Sequence, residues 1–154
     1  MGRTDLIAVD GSAHSQHAFD WYLQNMHREG DEVVVVHCAE FHVDVGLPGR
    51  AADVDAICAA VKKQNDEIGN LTDGYMNILR QKKIKAQLLV PTNGKPGELI
   101  VKEAKEKNVS TIVLGTRGLG TIRRTLLGSV SEYVVHHSHC PVTVVREEKD
   151  AQDS

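Results

Sequence analysis

Apolar residues along this chain are concentrated in five short runs, which are bounded mostly by glycine, proline or charged residues. The runs cover residues 6–9, 33–36, 87–90, 111–114 and 142–145. Most of their members are β-branched or leucine, and apolar and polar residues do not alternate within them. Such runs are typical of strands that are buried on both faces, as in a parallel sheet. The pattern therefore predicts five strands.

Between these runs the apolar residues recur every three or four positions, which predicts helices. The four stripes consist of Ala18, Phe19, Tyr22, Leu23 and Met26; of Val54, Ile57, Val61, Ile68, Leu71, Tyr75 and Ile78; of Leu99, Ile100 and Ala104; and of Val130, Tyr133 and Val134. Ser12 or Ser15 is available to cap the first helix, and Pro96 suits the first turn of the third. The order βαβαβαβαβ predicts an α/β fold, an open doubly wound parallel sheet with helices on both faces.

Length and charge narrow the class of protein. The 154 residues are expected to form one domain over residues 1–146, followed by a polar tail over 147–154. A net charge of -3 argues against a nucleic-acid partner. No apolar stretch reaches the roughly 20 residues of a membrane span, and no leader pattern is present. Three widely spaced cysteines suit a reducing cytoplasm: Cys38, Cys58 and Cys140.

The ends of two predicted strands carry candidate binding residues. In a doubly wound sheet, ligands bind beyond the carboxyl ends of the strands, where the strand order reverses. Five strands allow the orders 2-1-3-4-5 and 3-2-1-4-5. In the second order, strand one, which ends at Asp10, lies beside strand four, which ends at Gly115. Both ends would then face one crevice.

The segment after strand four has the features of an anion-binding loop. Gly115 is expected to let the chain leave the strand sharply, and Gly118 to let backbone N–H groups approach a bulky anion. Gly128 and Ser129 open the fourth helix, whose free N–H groups and dipole attract phosphate. Three arginines in the segment could bond phosphate or stay solvated: Arg117, Arg123 and Arg124.

Two of these residues also have a purely structural interpretation. Asp10 could serve only as an N-cap of the first helix. Ser129 and Glu132 have the spacing of a capping box. Other phosphate motifs are absent from the sequence, because no GxxxxGK[ST] occurs and no GxGxxG follows strand one. The sequence therefore argues against a Walker-type nucleotidase and a dinucleotide site.

The spacing Gly115-x2-Gly118-x9-Gly128-Ser129 resembles the ATP-binding signature of the universal stress protein family. Three further segments resemble that family, namely IAVDGSAHSQHA, GKPGELIVKEAKEKNVSTIVLGTRG and LLGSVSEYVVHHSHCPVTVVR. The likeness covers roughly residues 5–146. A loop at residues 42–53, which fits no regular pattern, does not map onto the family.

This resemblance implies the order 3-2-1-4-5 in an adenine-nucleotide alpha-hydrolase-like fold, with ATP and Mg²⁺ in the crevice. It places Asp10 near the adenosine and Val36, or a close neighbour, against the adenine. The implied contact residues are Ala8, Val9, Asp10, Val36, Leu114, Gly115, Arg117, Gly118, Gly128, Ser129, Val130 and Ser131. The resemblance also implies a homodimer that pairs through the last strand, at Val142, Thr143, Val144 and Val145. The apolar character of this strand supports the pairing independently, because an apolar edge strand left open tends to aggregate.

The expected function is that of a nucleotide-dependent regulatory protein of the stress response. An anion site without paired carboxylates or a nucleophile–base pair predicts at most slow ATP hydrolysis. The main alternative is an ATP-hydrolysing or adenylyl-transferring enzyme that uses His14 or His17. A flavin carrier is another, and so is a metal sensor built on His136, His137, His139 and Cys140.

Overall fold

Strands and helices alternate along the described parts of the chain, which are residues 2–39, 54–116 and 127–147 of a computed structural model. The elements are β1 (Thr4–Ala8), α1 (Ala13–Asn25), β2 (Glu32–Val36), α2 (Val54–Gln81), β3 (Ala86–Leu89), α3 (Pro96–Glu106), β4 (Thr111–Thr116), α4 (Ser129–His137) and β5 (Val142–Arg146). The predicted order of elements is confirmed. The predicted loop at 42–53 and most of the predicted tail lie outside the described residues.

The five strands form one parallel sheet in the order β3-β2-β1-β4-β5, which confirms the expected doubly wound topology. In the register, Leu6 of β1 lies between Val34 of β2 and Ile112 of β4. The central strands are almost wholly buried, whereas the edge strands β3 and β5 are only partly so. The carboxyl ends of β1 and β4 therefore lie side by side at the point where the strand order reverses.

Each face of the sheet has its own apolar core. One core joins alternate strand residues such as Val35 and Val113 to Phe19 and Tyr22 of α1 and to Leu79 of α2. The other joins Leu6, Val34 and Ile112 to Ile100 of α3 and Val134 of α4. Because successive strand residues point to opposite faces, strands sandwiched in this way must be apolar at nearly every position.

Strand β4 runs further than the sequence predicts. The expectation that Gly115 ends it is wrong, since Gly115 is paired with Val145 of β5 and the strand continues to Thr116. A Cβ at Gly115 would overlap the backbone carbonyl of His14 and would lie 3.2 Å from the Ala18 methyl group. Glycine is needed here because α1 crosses β4 without room for a side chain.

Helix α2 is continuous through Gly69 and Gly74 over 28 residues, so these glycines do not break it. The apolar stripe predicted for α2 reaches the core only in its second half. Tyr75 is buried there, together with Thr72 and Leu79, which the stripe omitted. Val54 at the start of α2 is 67% exposed. No helix in the described parts of the chain combines the length and apolarity that crossing a membrane requires.

A buried polar cluster lies at the amino ends of the strands, opposite the carboxyl edge. Asp5 of β1 is fully buried and accepts a hydrogen bond from the Tyr22 hydroxyl at 2.8 Å. Burial, together with this contact to Asp5, raises the pKa of the Tyr22 hydroxyl well above its usual value, so it stays a donor. Arg3 bridges the two acids of the cluster, at 3.7 Å from Asp5 and 3.1 Å from Asp31.

We expect Asp31 to make the fold acid-sensitive. Burial by itself would raise the pKa of the Asp31 carboxyl, but hydrogen bonds from the Arg3 and Arg28 backbone amides and the Arg3 guanidinium lower it more strongly. A lowered folded-state pKa stabilises the fold at pH values above the unfolded-state pKa of about 3.9. This contribution is lost as the pH falls through the folded-state pKa. Urea unfolding from pH 6 to pH 2.5 should show the loss.

The control for this prediction is Asp31→Asn, which cannot titrate. It should lower the free energy of unfolding at pH 6 and flatten its dependence on pH below about 4. An unchanged slope in Asp31→Asn would show that other carboxyl groups cause the acid sensitivity.

Candidate functional site

A cavity of about 670 Å³ opens at the carboxyl edge of the sheet, where β1 and β4 adjoin. Its walls come from the ends of β1, β2 and β4, from the amino-terminal parts of α1, α3 and α4, and from Ile68 of α2. Such a volume lies in the range of small-molecule sites. The location is the one that doubly wound sheets use for ligands.

The predicted contact residues converge on this cavity. Every one of them that the structure describes lines it: Ala8, Val9, Asp10, Val36, Leu114, Gly115, Gly128, Ser129, Val130 and Ser131. The remaining two, Arg117 and Gly118, lie outside the described residues, as do Arg123 and Arg124. Separate stretches of the chain are thus brought into one site.

Asp10 presents a carboxylate at the polar side of the cavity. Its Oδ1 accepts hydrogen bonds from the backbone N–H and the hydroxyl of Ser12, and its Oδ2 lies 3.7 Å from Nε2 of His14. Partial burial would raise the pKa of the Asp10 carboxyl, but the Ser12 hydrogen bonds and the nearby His14 and His37 outweigh it and hold the pKa below its usual value. Asp10 therefore carries a negative charge at neutral pH.

Asp10 is not the N-cap of α1. Ser12 is, because its hydroxyl oxygen accepts a hydrogen bond from the Ser15 backbone N–H at 3.2 Å. The Ser15 hydroxyl in turn accepts a hydrogen bond from the Asp10 backbone N–H at 3.0 Å. These two serines fix the turn, so the Asp10 side chain, 61% exposed, is left to face the opening.

The start of α4 provides backbone donors on the other side of the cavity. Its N-cap is Gly128, so the predicted capping box of Ser129 and Glu132 is wrong, and among the described residues no side chain caps this helix end. The first intrahelical bond runs from the Glu132 N–H to the Gly128 carbonyl at 2.9 Å. The N–H groups of residues 129–131 precede that bond and point toward the amino end of α4, where the helix dipole favours an anion.

Gly128 differs from Gly115 in what requires the glycine. Its backbone, with φ -63° and ψ 161°, is one that any residue adopts. Among the described residues, a Cβ there would contact only the Ser131 hydroxyl, at 3.7 Å. Neither the backbone conformation nor the described packing therefore requires glycine at 128, but an approaching anion would need the space that a side chain fills.

Comparison with known proteins supports the resemblance seen in the sequence. The family model described as "Universal stress protein family" matches residues 2–146. The chain belongs to the universal stress protein family. One relative, universal stress protein YxiE of Bacillus subtilis, is 32% identical, and the match covers 92% of this chain and 97% of that protein.

Solved structures show that the universal stress protein fold matches this chain throughout. One is a family protein from Arabidopsis thaliana with AMP bound, with a TM-score of 0.64, 20% identity and coverage of 99% of this chain and 97% of that one. Another is a universal stress protein in complex with cAMP, with a TM-score of 0.57, 24% identity and coverage of 94% and 97%.

The cavity wall of this universal stress protein also contains residues that the sequence did not predict as ligand contacts. They are Ser15, His37, Cys38, Ala39, Ile68, Pro96, Ile100, Thr116 and Leu127, besides His14, which was considered only as a catalytic group. His37 and Cys38 directly follow the last residue of β2. Their position at the carboxyl edge was the one signal in the sequence that could have found them.

The histidine-rich segment, residues 136–140, is part of no metal-binding cluster among the described residues. Within residues 2–39, 54–116 and 127–147, no three His, Cys, Asp or Glu side chains lie close enough to hold a metal ion. The His137 ring stacks on Tyr133 with 3.9 Å between centroids, and the exposed His136 lies 4.0 Å from Glu132. Both histidines are in the last turn of α4, where the dipole favours positive charge.

Proposed function

We propose that this universal stress protein binds an adenine nucleotide, namely ATP with Mg²⁺, at the carboxyl edge of its sheet. On this proposal residues 1–146 form one nucleotide-binding domain of a cytoplasmic, homodimeric regulatory protein. Its conformation or its partners depend on the nucleotide, and ATP hydrolysis is at most slow.

The observation that carries the proposal is that the start of α4, which no described side chain caps, lies in the wall of a cavity that is partly apolar. Backbone donors of residues 129–131 suit phosphate oxygens. The apolar part of the wall, which includes Val36, Ile100 and Leu114, suits the faces of a base. Asp10 lies between these regions as a hydrogen-bond acceptor for sugar or base.

The fold neighbours support an adenine nucleotide as the class of ligand. One of them holds AMP and another holds cAMP, and both match nearly the whole length of this chain. ATP is the proposed ligand because of the glycine spacing and the donors at the start of α4. Magnesium would be held chiefly by the phosphate oxygens and water, as is usual for Mg²⁺, with no dedicated ligand cluster among the described residues.

Calorimetric titration with ATP, AMP and cAMP tests the proposal, and Gly128→Val is the decisive variant. A valine side chain at 128 would occupy the space in front of the donors of residues 129–131 and should weaken ATP binding at least tenfold, about 1.4 kcal/mol. The free energy of unfolding in urea should stay within about 0.5 kcal/mol of the wild type, because no packed atom of the described residues would be displaced.

The matched control is Gly69→Val in α2, where an added Cβ has no described atom within 4 Å apart from the nearby backbone of α2 itself. It should leave ATP affinity unchanged. Failure of the wild-type protein to bind any of the three nucleotides would refute the proposal. If the wild type and Gly128→Val bound ATP with equal affinity, the start of α4 would not be part of the binding site.

One observation favours the alternative of an ATP-hydrolysing or adenylyl-transferring enzyme. His14 lines the cavity, and its Nε2 lies 3.1 Å from the Ser12 hydroxyl. His17 is absent from the cavity wall. ATP turnover by the wild-type protein near 10 per second, a typical enzyme rate, would favour the enzyme. His14→Ala should then lose this turnover while it retains its affinity for ATP.

The proposed homodimer rests on β5, which forms one edge of the sheet. The Ile112 N–H donates to the Pro141 carbonyl of the segment entering β5. Because N–H directions alternate along a strand, the N–H of Val144 points away from β4 and is available to a second chain.

We expect Val144→Pro to convert the dimer to a monomer in sedimentation velocity, since proline removes that outward N–H. Leu88→Pro, at the opposite edge strand β3, is the comparison, because the His37 N–H donates to the Leu89 carbonyl and the N–H of Leu88 therefore points away from β2. A wild-type protein that sediments as a monomer at every concentration would contradict the proposed pairing.

A further inference from the structure

Two histidines line the cavity, His14 and His37, and His37 is the more deeply buried of the two. It directly follows β2 and is 9% exposed. Its Nδ1 lies 2.8 Å from the Val9 carbonyl oxygen. Within the described parts of the chain its other nitrogen, Nε2, has no hydrogen-bond partner, although the residue lines the cavity.

The hydrogen bond to Val9 determines what His37 offers to a ligand. A backbone carbonyl can only accept, so Nδ1 must carry the proton in that bond. In the neutral imidazole the other nitrogen is then unprotonated, which makes Nε2 an acceptor. An acceptor in the cavity wall without a partner in the described chain favours a ligand with a donor opposite it and disfavours a second acceptor.

The expected orientation of a nucleotide brings its base to this acceptor. Phosphates held at the start of α4 lie on the β4 side of the cavity, since α4 packs against β4 and β5. Strand β2 lies on the far side of β1 from β4, and neighbouring strands are about 4.8 Å apart. The base, at the other end of the nucleotide, would then lie over the ends of β1 and β2.

We infer that His37 selects the base of the bound nucleotide through Nε2, favouring a 6-amino purine over a 6-oxo purine. Adenine presents an amino donor at position 6, whereas hypoxanthine presents an oxygen acceptor there. The inference rests on the proposed nucleotide function and adds to it a specificity-determining residue. The elements around His37 supply two titratable neighbours to the cavity wall, Asp10 after β1 and His14 of α1.

The test compares three triphosphates that differ at position 6, titrated at pH 8, above the range in which free imidazole takes up a proton. They are ATP, the 6-unsubstituted purine riboside triphosphate, and inosine triphosphate. The wild-type protein should bind them in that order, with ATP at least tenfold tighter than inosine triphosphate. The unsubstituted purine keeps the ring nitrogens of adenine and therefore isolates the loss of the donor.

His37→Asn separates the structural role of His37 from the proposed one. The asparagine amide occupies the position of Nδ1 and can still donate to Val9, but nothing remains at the position of Nε2. The ratio of inosine triphosphate to ATP dissociation constants should fall close to one. His136→Asn, on an exposed histidine that does not line the cavity, should keep the wild-type ratio.

The outcomes distinguish the two proposals. No binding of any nucleotide by the wild-type protein would overturn the nucleotide function and this inference together. Binding of ATP and inosine triphosphate with equal affinity would overturn only the inference. A preference for ATP that persists in a folded His37→Asn would assign selectivity to another acceptor, such as Asp10, and would also overturn it. The wild-type comparison stands even if His37→Asn does not fold.

Discussion

Gly115→Val is expected to lower the free energy of unfolding by about 3 kcal/mol or more, the upper range for overpacking a core. The added Cβ would collide with the backbone carbonyl of His14, which cannot rotate away as a side chain could. Relief requires α1 to move off β4, and this would disturb the packing of Ala18. Urea unfolding followed by circular dichroism measures the loss.

Gly74→Val is the matched control, since an added Cβ at that position has no described atom within 4 Å apart from the nearby backbone of α2 itself. Its free energy of unfolding should stay within about 0.5 kcal/mol of the wild type. If Gly115→Val proved as stable as this control, the close approach of α1 to β4 would be disproved. Comparison with Gly128→Val separates a glycine needed for folding from one proposed to leave room for a ligand.

Tyr22→Phe should cost about 2 to 3 kcal/mol, because it leaves a buried carboxyl oxygen of Asp5 without its donor. The other oxygen, Oδ1, already has no hydrogen-bond partner within the described part of the chain. The ring itself is conserved in shape, so the loss reports the hydroxyl and not the packing. Equilibrium unfolding in urea at pH 7 gives the value.

A double-mutant cycle identifies the source of that loss. In an Asp5→Leu background no carboxyl group remains to be satisfied, and adding Tyr22→Phe should then cost much less. Tyr133→Phe, on a half-exposed ring, is the control and should change stability by less than about 0.5 kcal/mol. Equal costs of Tyr22→Phe in both backgrounds would mean that the Asp5 contact is not what the hydroxyl provides.

Much of the fold could be predicted from the sequence because the central strands are buried on both faces. Short unbroken runs of β-branched residues such as residues 33–36 favour buried strands, and glycine or proline marks several of their ends. The second helix was harder. Leu79 is buried against core residues distant in sequence, and Thr72 is buried although it is polar, so the spacing of apolar residues alone identifies neither.

The site was predicted less evenly than the fold. Gly115 lies at the cavity as expected, yet its glycine is explained by helix packing, and a sequence cannot distinguish that need from space for a ligand. His37 was overlooked because a polar residue after a strand looks like an ordinary loop residue. Its bond to Val9 depends on how β1 and β2 align, which only the folded sheet determines.

The contact between Gly115 and the carbonyl of His14 has a consequence for the kinetics of ligand capture. It joins a strand and a helix that both border the cavity, so α1 and β4 are already in place at this part of its floor. Binding would then need no movement of α1 against β4, and no entropy of ordering these two elements would be lost on association. Differences in affinity between nucleotides should accordingly arise mainly in how fast each one leaves.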